Sequence, residues 1–448
     1  MKNLSKSGMS FQSTTKTDSE SRVIAVVGGG ASGMAAACFA ASAVLPLRGE
    51  KVKVVMFEKT NRPGKKLSIT GKGRCNLTNN CTPGVFIENV VSNPRFLQSA
   101  IHMFPPSFVM EYFEGLGVKL KTERGRRVFP VSDKSLDVVK ALRSNLAELG
   151  VKTVFGRVSG VSPSEGGYEV AYEESGETRK LKASAVILAT GGITYPLTGS
   201  DGDGYKIAAS LGHTIAKPTL SLVPLNTAED WPKRLAGLTL KNVTVSFYCG
   251  GRLCFSGMGE LLFTHFGVSG PLVLTASAYI KSYPAEIFID MKPALESQTL
   301  DRRLLGEFSS QKNRAFSNSL DNLLPKTMIP EVVCLSGIDG QKQVNSITKA
   351  ERARLVSLLK AVPIHAVSTR GEGEAVITKG GVDVREVSPA TMESKLHKGL
   401  FFAGELLDID CLTGGYNLQA AFSTGFAAGR ASAETVCRDT QKTKNEIF

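Results

Sequence analysis

The sequence predicts an α/β fold built around a parallel sheet, with β-rich and helical segments inserted into it. Three apolar runs carry that prediction. One near the N-terminus, Val23 to Val27, ends in Gly28-Gly29-Gly30. A second, Ala185 to Leu188, ends in Ala189-Thr190-Gly191-Gly192. A third, Leu400 to Ala403, ends in Gly404-Glu405. Strands buried on both faces read as unbroken apolar runs, and α/β sheets gather such strands from distant parts of a chain.

Composition sets the frame. The chain has 448 residues, enough for two or three domains, with 42% hydrophobic and 21% charged residues, as in ordinary globular proteins. The net charge of +13 gives a basic surface and, secondarily, a field that draws anions such as nucleotides, carboxylates or RNA. Basic residues gather at Lys59, Arg62, Lys65, Lys66, Lys72 and Arg74, yet nowhere form a long tract interleaved with aromatics. Eight cysteines without a CxxC pair and five scattered histidines indicate no metal site and no disulfide framework, so free thiols in a cytoplasmic protein are expected.

Residues 1–21 are rich in Ser, Thr and Lys and read as a disordered tail. Lys and Arg residues before an apolar run, with Ala41-Ser42-Ala43 behind it, imitate a secretion signal. Cleavage there would remove the glycine fingerprint, so that reading is rejected. Gly28 to Gly30 and Pro46 interrupt the run, and no membrane span is expected.

Gly28-Gly29-Gly30-Ala31-Ser32-Gly33 matches G-x-G-x-x-G directly after the first strand, and the Ala-rich stretch Met34 to Val44 reads as the helix it opens. Gly28 permits the tight turn, Gly30 lets backbone approach a pyrophosphate, and Gly33 allows close helix–strand packing. Ala31 and Ser32 sit where the helix start offers unpaired N–H groups to phosphate. Lys51 to Phe57 reads as a second strand ending in Glu58, which suits ribose hydroxyls. The spacing from Gly33 to Glu58 is 25 residues against the usual ~20, and Leu45 to Glu50 reads as an enlarged loop that absorbs the excess. This is a Rossmann-type dinucleotide-binding unit.

The remaining motifs favour FAD over NAD. Past Glu58-Lys59 comes a long Gly- and cation-rich loop containing Arg62-Pro63-Gly64-Lys65-Lys66 and Gly73-Arg74-Cys75-Asn76, suited to wrapping a pyrophosphate and reaching an isoalloxazine. Val151 to Ala183 reads as antiparallel strands broken at Gly166-Gly167 and Ser175-Gly176. This meander before a core strand resembles the two-part FAD domain of glutathione-reductase-like flavoproteins, in which a valine at the meander's start contacts adenine; Val158 is the best match. Thr190 and Gly191 close the core strand. Near the C-terminus, Gly404, Glu405 and Thr413-Gly414-Gly415-Tyr416-Asn417-Leu418 lead into a helix rich in small residues. The start of that helix, with Gly415, Asn417 and Leu418, suits the N1/O2 edge of a flavin, where the dipole stabilises negative charge.

Together these motifs resemble the BaiN-like flavoproteins, a family of aminoacetone-oxidase-like, NAD(P)/FAD-dependent oxidoreductases named for a bacterial reductase of 3-dehydro bile acids. The matching stretches are Gly64–Asn79, Gly125–Lys134, Ala189–Tyr205, Gly259–Pro271, Gly380–Val382 and Phe402–Gly425. They run in order over nearly the whole chain beyond the tail. The resemblance implies an FAD domain at 22–212 and 374–448, an inserted β-barrel at 213–292 and 361–373, and a helical insert at 293–360. The residues agree: Leu238 to Phe255 and Ala285 to Met291 look like strands, and Asp301 to Leu324 and Thr348 to Leu359 look helical.

No second strand–G-x-G-x-x-G–helix unit appears between residues 200 and 375, so NAD(P)H is expected to dock transiently in the substrate cleft, between the FAD domain and the barrel. The expected reaction is NAD(P)H-driven reduction, or the reverse, of a C=C/CH–CH bond in a small organic substrate. Alternatives are an amine or aminoketone oxidase and an RNA-binding flavoprotein related to tRNA-modifying enzymes. A disulfide reductase is a further rival, since Cys75 and Cys81 lie where relatives carry a redox pair, although the spacing here is C-x5-C rather than C-x4-C. Candidate catalytic residues are Asn76, Tyr195 and His265, with Arg74 and Tyr416 nearby. A stable nucleic-acid complex and a membrane partner are not expected, and a monomer or homodimer is.

Overall fold

The computed structural model describes residues 22–45 and 52–445; the N-terminal tail and most of the Leu45–Glu50 loop lie outside the described residues. Five strands form an all-parallel sheet in the order Leu400–Phe402, Ala185–Leu188, Arg22–Val27, Val52–Glu58, Lys152–Phe155. Numbered along the chain, that order is 5-4-1-2-3, the Rossmann arrangement with its switch point beside the first strand. Four of the five are apolar runs with both faces covered, which is why they read so plainly in sequence.

Lys152–Phe155 departs from expectation. The sequence pattern groups it with the antiparallel meander, but it pairs parallel with Val52–Glu58 and closes the sheet's edge. The meander proper is Arg157–Ser164, Gly167–Glu174 and Glu177–Ala183. Alternation alone does not say which neighbour a four-residue strand pairs with.

The first helix, Ala31–Val44, lies against the long C-terminal helix, Tyr416–Asn445. Glycines allow the approach: a methyl group on Gly425 would stand 2.5 Å from the Ser32 carbonyl oxygen, and one on Gly429 2.4 Å from that of Ala36. The helix starts of Ala31 and Tyr416 are thereby held together at the same end of the sheet.

The chain then leaves this layer. Six strands, Leu225–Thr227, Gly267–Ser269, Arg252–Thr264, Thr239–Cys249, Ala285–Asp290 and Val362–Thr369, make a closed barrel in that order. Helices Ser297–Ser310, Ile329–Ser336 and Lys349–Lys360 sit between its last two strands in sequence. The segment 311–324, expected to continue a helix, is instead turns and a short 3-10 piece. Barrel and helices share one apolar core, with Val245, Ile287 and Leu304 among its fully buried members, separate from the core around the parallel sheet. The crossing is made by Ile215–Ser221, which pairs antiparallel with the returning strand Ile377–Val382.

Cysteine chemistry differs from expectation in one place. Cys249 and Cys254 are joined across the turn between the two longest barrel strands, while Cys38, Cys75, Cys81, Cys334 and Cys411 form no disulfide. Among the described residues no helix is long and apolar enough to cross a membrane, and no cluster of side chains suits a metal ion.

Candidate functional site

A cavity of about 650 Å³ opens at the switch point. The corner after the first strand forms its centre. Gly28 adopts φ 108°, and a methyl group there would stand 2.5 Å from the Ala189 carbonyl oxygen, so the position admits only glycine. Gly30 differs: nothing lies within 4 Å of where its methyl would be, and that space is cavity. The first intrahelical bond runs from Met34 N to Gly30 O at 2.9 Å, which leaves the N–H groups of Ala31, Ser32 and Gly33 without intrahelical acceptors. Ala31 and Ser32 line the cavity. Gly33 does not; a methyl there would stand 1.8 Å from the Gly28 carbonyl oxygen, so this glycine serves packing, with its backbone alone available to a phosphate.

Glu58 lies on one flank, 8% exposed, its carboxylate fixed by Gly29 N at 3.2 Å and Thr60 N at 2.7 Å. Beside it Gly156, Arg157 and Val158 enter the cavity wall at the start of the meander. Lys59 also lines the wall, but its ammonium is held by Asp201 at 2.5 Å and Asp203 at 3.1 Å. Arg157 grips Asp203 with two further bonds of 2.8 and 2.9 Å. Arg157 and Lys59 together hold the Asp203 carboxyl down to about 2. Sequence reasoning misses Arg157 and Asp203: their pairing joins residues 46 apart, and although Asp203 falls in the Ala189–Tyr205 stretch, nothing in that stretch marks its partner. Lys65 lines the cavity with no ion-pair partner among the described residues.

The other flank is built from the C-terminal limb. Gly404, Glu405, Gly415, Asn417 and Leu418 line it, as do Thr190 and Gly191 from the central strand end. Asn76 accepts from Gly415 N at 2.9 Å and donates to Thr78 O at 3.2 Å, tying the cation-rich loop to the start of the last helix. Asn417 exchanges hydrogen bonds with the Cys411 backbone at 2.8 and 2.9 Å, which leaves its N–H in the helix's first turn. Lys66 donates to Thr194 Oγ1 at 2.7 Å and Glu405 Oε2 at 2.8 Å. Glu405 Oε1 in turn accepts from Thr378 N at 2.8 Å. Thr378 leaves no trace in sequence, and Thr194, although within the Ala189–Tyr205 stretch, carries no pattern that marks its role. Tyr195 lines the cavity in the left-handed region, φ 55°, its N–H donating to Glu372 O at 3.1 Å. Burial, and then the Glu374 carboxylate, push its phenol upward. Leu222 and Ile377, both buried, close this end.

Several expected residues lie outside the cavity. Arg74 turns away to Glu123 and to Asp133, 2.7 Å distant, and stacks 4.1 Å from the Phe129 ring centre. Cys75 is fully buried behind the loop, its thiol pushed up to about 12 by desolvation, and neither it nor Cys81 is in a disulfide. Gly73 makes a turn outside the wall. His265 sits exposed on a barrel turn, its ring against Phe266. Tyr416 packs edge-on to Phe86 and is likewise absent from the wall.

The chain's residues fit FAD. Two helix starts present unpaired amides to one cavity, the open side of Gly30 offers room for a pyrophosphate, and Glu58 is fixed for a ribose. The Thr190 hydroxyl, buried at the wall, has no partner among the described residues.

Comparison with known proteins adds three findings. Residues 22–431 match the model of a family described as HI0933-like protein Rossmann domain. A 3-dehydro-bile acid delta(4,6)-reductase of Clostridium scindens is 31% identical over 417 residues, covering 92% of this chain and 99% of that one. A ribosomal RNA dihydrouridine synthase of Haemophilus influenzae is 30% identical over 407 residues, covering 90% and 96%.

Proposed function

The chain is an oxidoreductase of the HI0933-like Rossmann-domain family, and from that premise we propose that it binds FAD and uses NAD(P)H to saturate a C=C bond conjugated to a carbonyl. The observation that carries the reading is the cavity itself, one dinucleotide-sized space running between the Gly30 and Gly415 helix starts. The relatives' names support the reaction type: delta(4,6)-reduction of a 3-dehydro acid and formation of dihydrouridine are both saturations of an unsaturated bond next to a carbonyl.

FAD held in this cavity would supply the two-electron redox chemistry between a nicotinamide and a conjugated substrate. The chain supplies the rest. Glu58 and the amides of Ala31 and Ser32 would hold the ribose and pyrophosphate. Asn76 fixes the Gly415 corner, so the following amides of the last helix face the cavity, where their dipole would stabilise negative charge on a bound flavin. Leu222 and Ile377 exclude water there. Saturating a polarised C=C bond also needs a proton at the second carbon, and we assign that role to Tyr195, which lines the cavity and whose phenol is pushed above its ordinary value by burial.

Anaerobic stopped-flow tests this. NADH or NADPH should bleach the flavin absorbance of the holoprotein, and a conjugated enone should restore it. No bleaching by either nucleotide, or bleaching with no recovery across a broad enone panel, defeats the reading. Tyr195→Phe should slow the recovery and leave the bleaching rate alone.

A second reading makes the conjugated ring a pyrimidine within RNA. It is favoured by exposed Lys72 at the cavity wall and by Arg124 and Arg126, both exposed on a loop that Asn79 ties to Gly414, donating to Gly125 O and Gly414 O at 3.0 Å each. Retardation of RNA in a gel at low salt, lost as salt rises, supports it; no retardation dismisses it.

A further inference from the structure

A second cavity, of about 270 Å³, lies behind the glycine corner. Its walls are the turn Arg62-Pro63-Gly64 and one face of the helix Ser135–Glu148, from which Leu136, Lys140 and Arg143 project at i, i+4 and i+7. Three cations thus border one cavity: Arg62, Lys140 and Arg143. None of them has an ion pair or a side-chain hydrogen bond among the described residues. The opposing acid is Asp137, whose carboxylate accepts from Ser132 Oγ at 2.5 Å. The floor is apolar and rigid. Pro63 is buried, and Gly64, at φ 78°, leaves no room for a methyl, which would stand 2.8 Å from a Val139 methyl carbon.

Like charges left unpaired around a concave site repel one another and raise the local potential, and an anion relieves both. Two arginines and a lysine match a phosphate group, whose oxygens accept several charge-assisted bonds. We propose that this cavity is a phosphate-binding site, distinct from the FAD site. The turn that carries Arg62 is also part of the cofactor corner: Gly64 N donates to Gly29 O at 2.8 Å, and Lys65, the next residue, lines the cofactor cavity. Phosphate bound here rests on the same turn that holds the glycine fingerprint.

The test uses FAD-loaded protein, so that the cofactor's own pyrophosphate site is filled, and inorganic pyrophosphate as the probe in titration calorimetry. Saturable binding is expected. It should weaken by about tenfold or more in Arg62→Ala/Lys140→Ala/Arg143→Ala, since one lost charge-assisted bond is worth that much. All three side chains are exposed, and retained flavin content and an unchanged melting curve will establish that the variant is folded. NADP+ and NAD+ as competitors distinguish the source. Displacement by NADP+ but not NAD+ assigns the site to the extra phosphate of the nucleotide; displacement by neither assigns it to a free phosphate compound. Absence of saturable pyrophosphate binding, or equal binding by the triple variant, overturns the proposal. Because the readout is binding, its failure is separate from any failure of flavin bleaching by NAD(P)H.

Discussion

Gly425 faces the Ser32 carbonyl so closely that a methyl group on it would stand 2.5 Å from that oxygen and 3.1 Å from the Ala35 Cβ. The contact joins the helix that opens the nucleotide fingerprint to the helix that closes the chain, nearly 400 residues later. Backbone rather than a flexible side chain is the obstacle, so the helices must move apart to admit a larger residue. Gly425→Ala should therefore cost about 1–3 kcal/mol, the usual range for overpacking. It should also lower flavin content, because Ser32 lies in the cofactor wall. Denaturant midpoints and the visible absorbance of purified protein measure the two effects. A variant as stable and as yellow as wild type would show that the helices do not depend on this contact.

Gly28 and Gly30 separate folding from binding. Gly28→Ala places a methyl against the Ala189 carbonyl at φ 108° and should destabilise the protein with or without FAD. Gly30 has φ −79°, which alanine adopts freely, and an open side that faces the cavity. Gly30→Ala should leave the melting curve of FAD-free protein unchanged and weaken FAD binding by about tenfold or more. FAD titration followed by flavin fluorescence decides the matter; equal affinity in wild type and Gly30→Ala would remove the pyrophosphate from this corner.

Much of the cofactor limb is legible in sequence because parallel strands are apolar on both faces and end in glycine. Val23 to Val27, Ala185 to Leu188 and Leu400 to Phe402 need no partner to be recognised. The residues that sequence misplaces share one property: the group that decides their orientation is remote along the chain. Arg74 lies in a cation-rich loop that suits phosphate, yet Glu123 and Asp133 draw it the other way. Lys59 follows Glu58 as the motif suggests, yet Asp201 and Asp203 neutralise it. His265 belongs to a matching motif, but the motif's fixed part is the barrel turn at Gly267, where a methyl group would stand 2.5 Å from the Leu225 carbonyl oxygen. Charge and spacing locate these residues along the chain; only the packed fold gives their direction.

His213 is held neutral by its hydrogen-bond geometry. Ser394 Oγ accepts from Leu396 N at 3.0 Å and His397 N at 2.9 Å, so its own proton is left for His213 Nε2 at 2.9 Å. Nδ1–H then donates to Glu386 at 3.0 Å. Burial of the ring pulls its pKa below the ordinary histidine value, and Glu386 only partly restores it. The unfolded chain therefore takes up the proton first. Stability that is fully present above about pH 6.5 should fall as the pH drops from there through the folded value. His213→Asn should flatten this part of the curve. Parallel acid limbs for wild type and variant would show that His213 does not titrate with unfolding.

Asp410 should give the opposite slope. It is 1% exposed, Oδ1 has no partner among the described residues, and Oδ2 has Ser221 Oγ at 3.3 Å. Desolvation pushes its carboxyl up, against the lowering effects of Ser92 and Lys379. The folded protein thus binds this proton more tightly than the unfolded chain. Its contribution is complete below about pH 3.9, the unfolded carboxyl value, and is lost as pH rises through the folded value, with a limiting slope of about 1.4 kcal/mol per pH unit. Asp410→Asn keeps the shape and removes the charge, so the variant should gain on wild type as the pH rises from about 4 toward neutrality, and the gap should close again in acid. Asp410 also lies next to Ile409, which lines the cofactor cavity. If FAD adds a negative charge nearby, the rise should extend to higher pH and end larger in holoprotein than in FAD-free protein. Denaturant midpoints across that range, in both forms, measure the slope. A constant difference between wild type and Asp410→Asn at every pH would mean that Asp410 is ionised in the fold and that neighbouring groups compensate its burial.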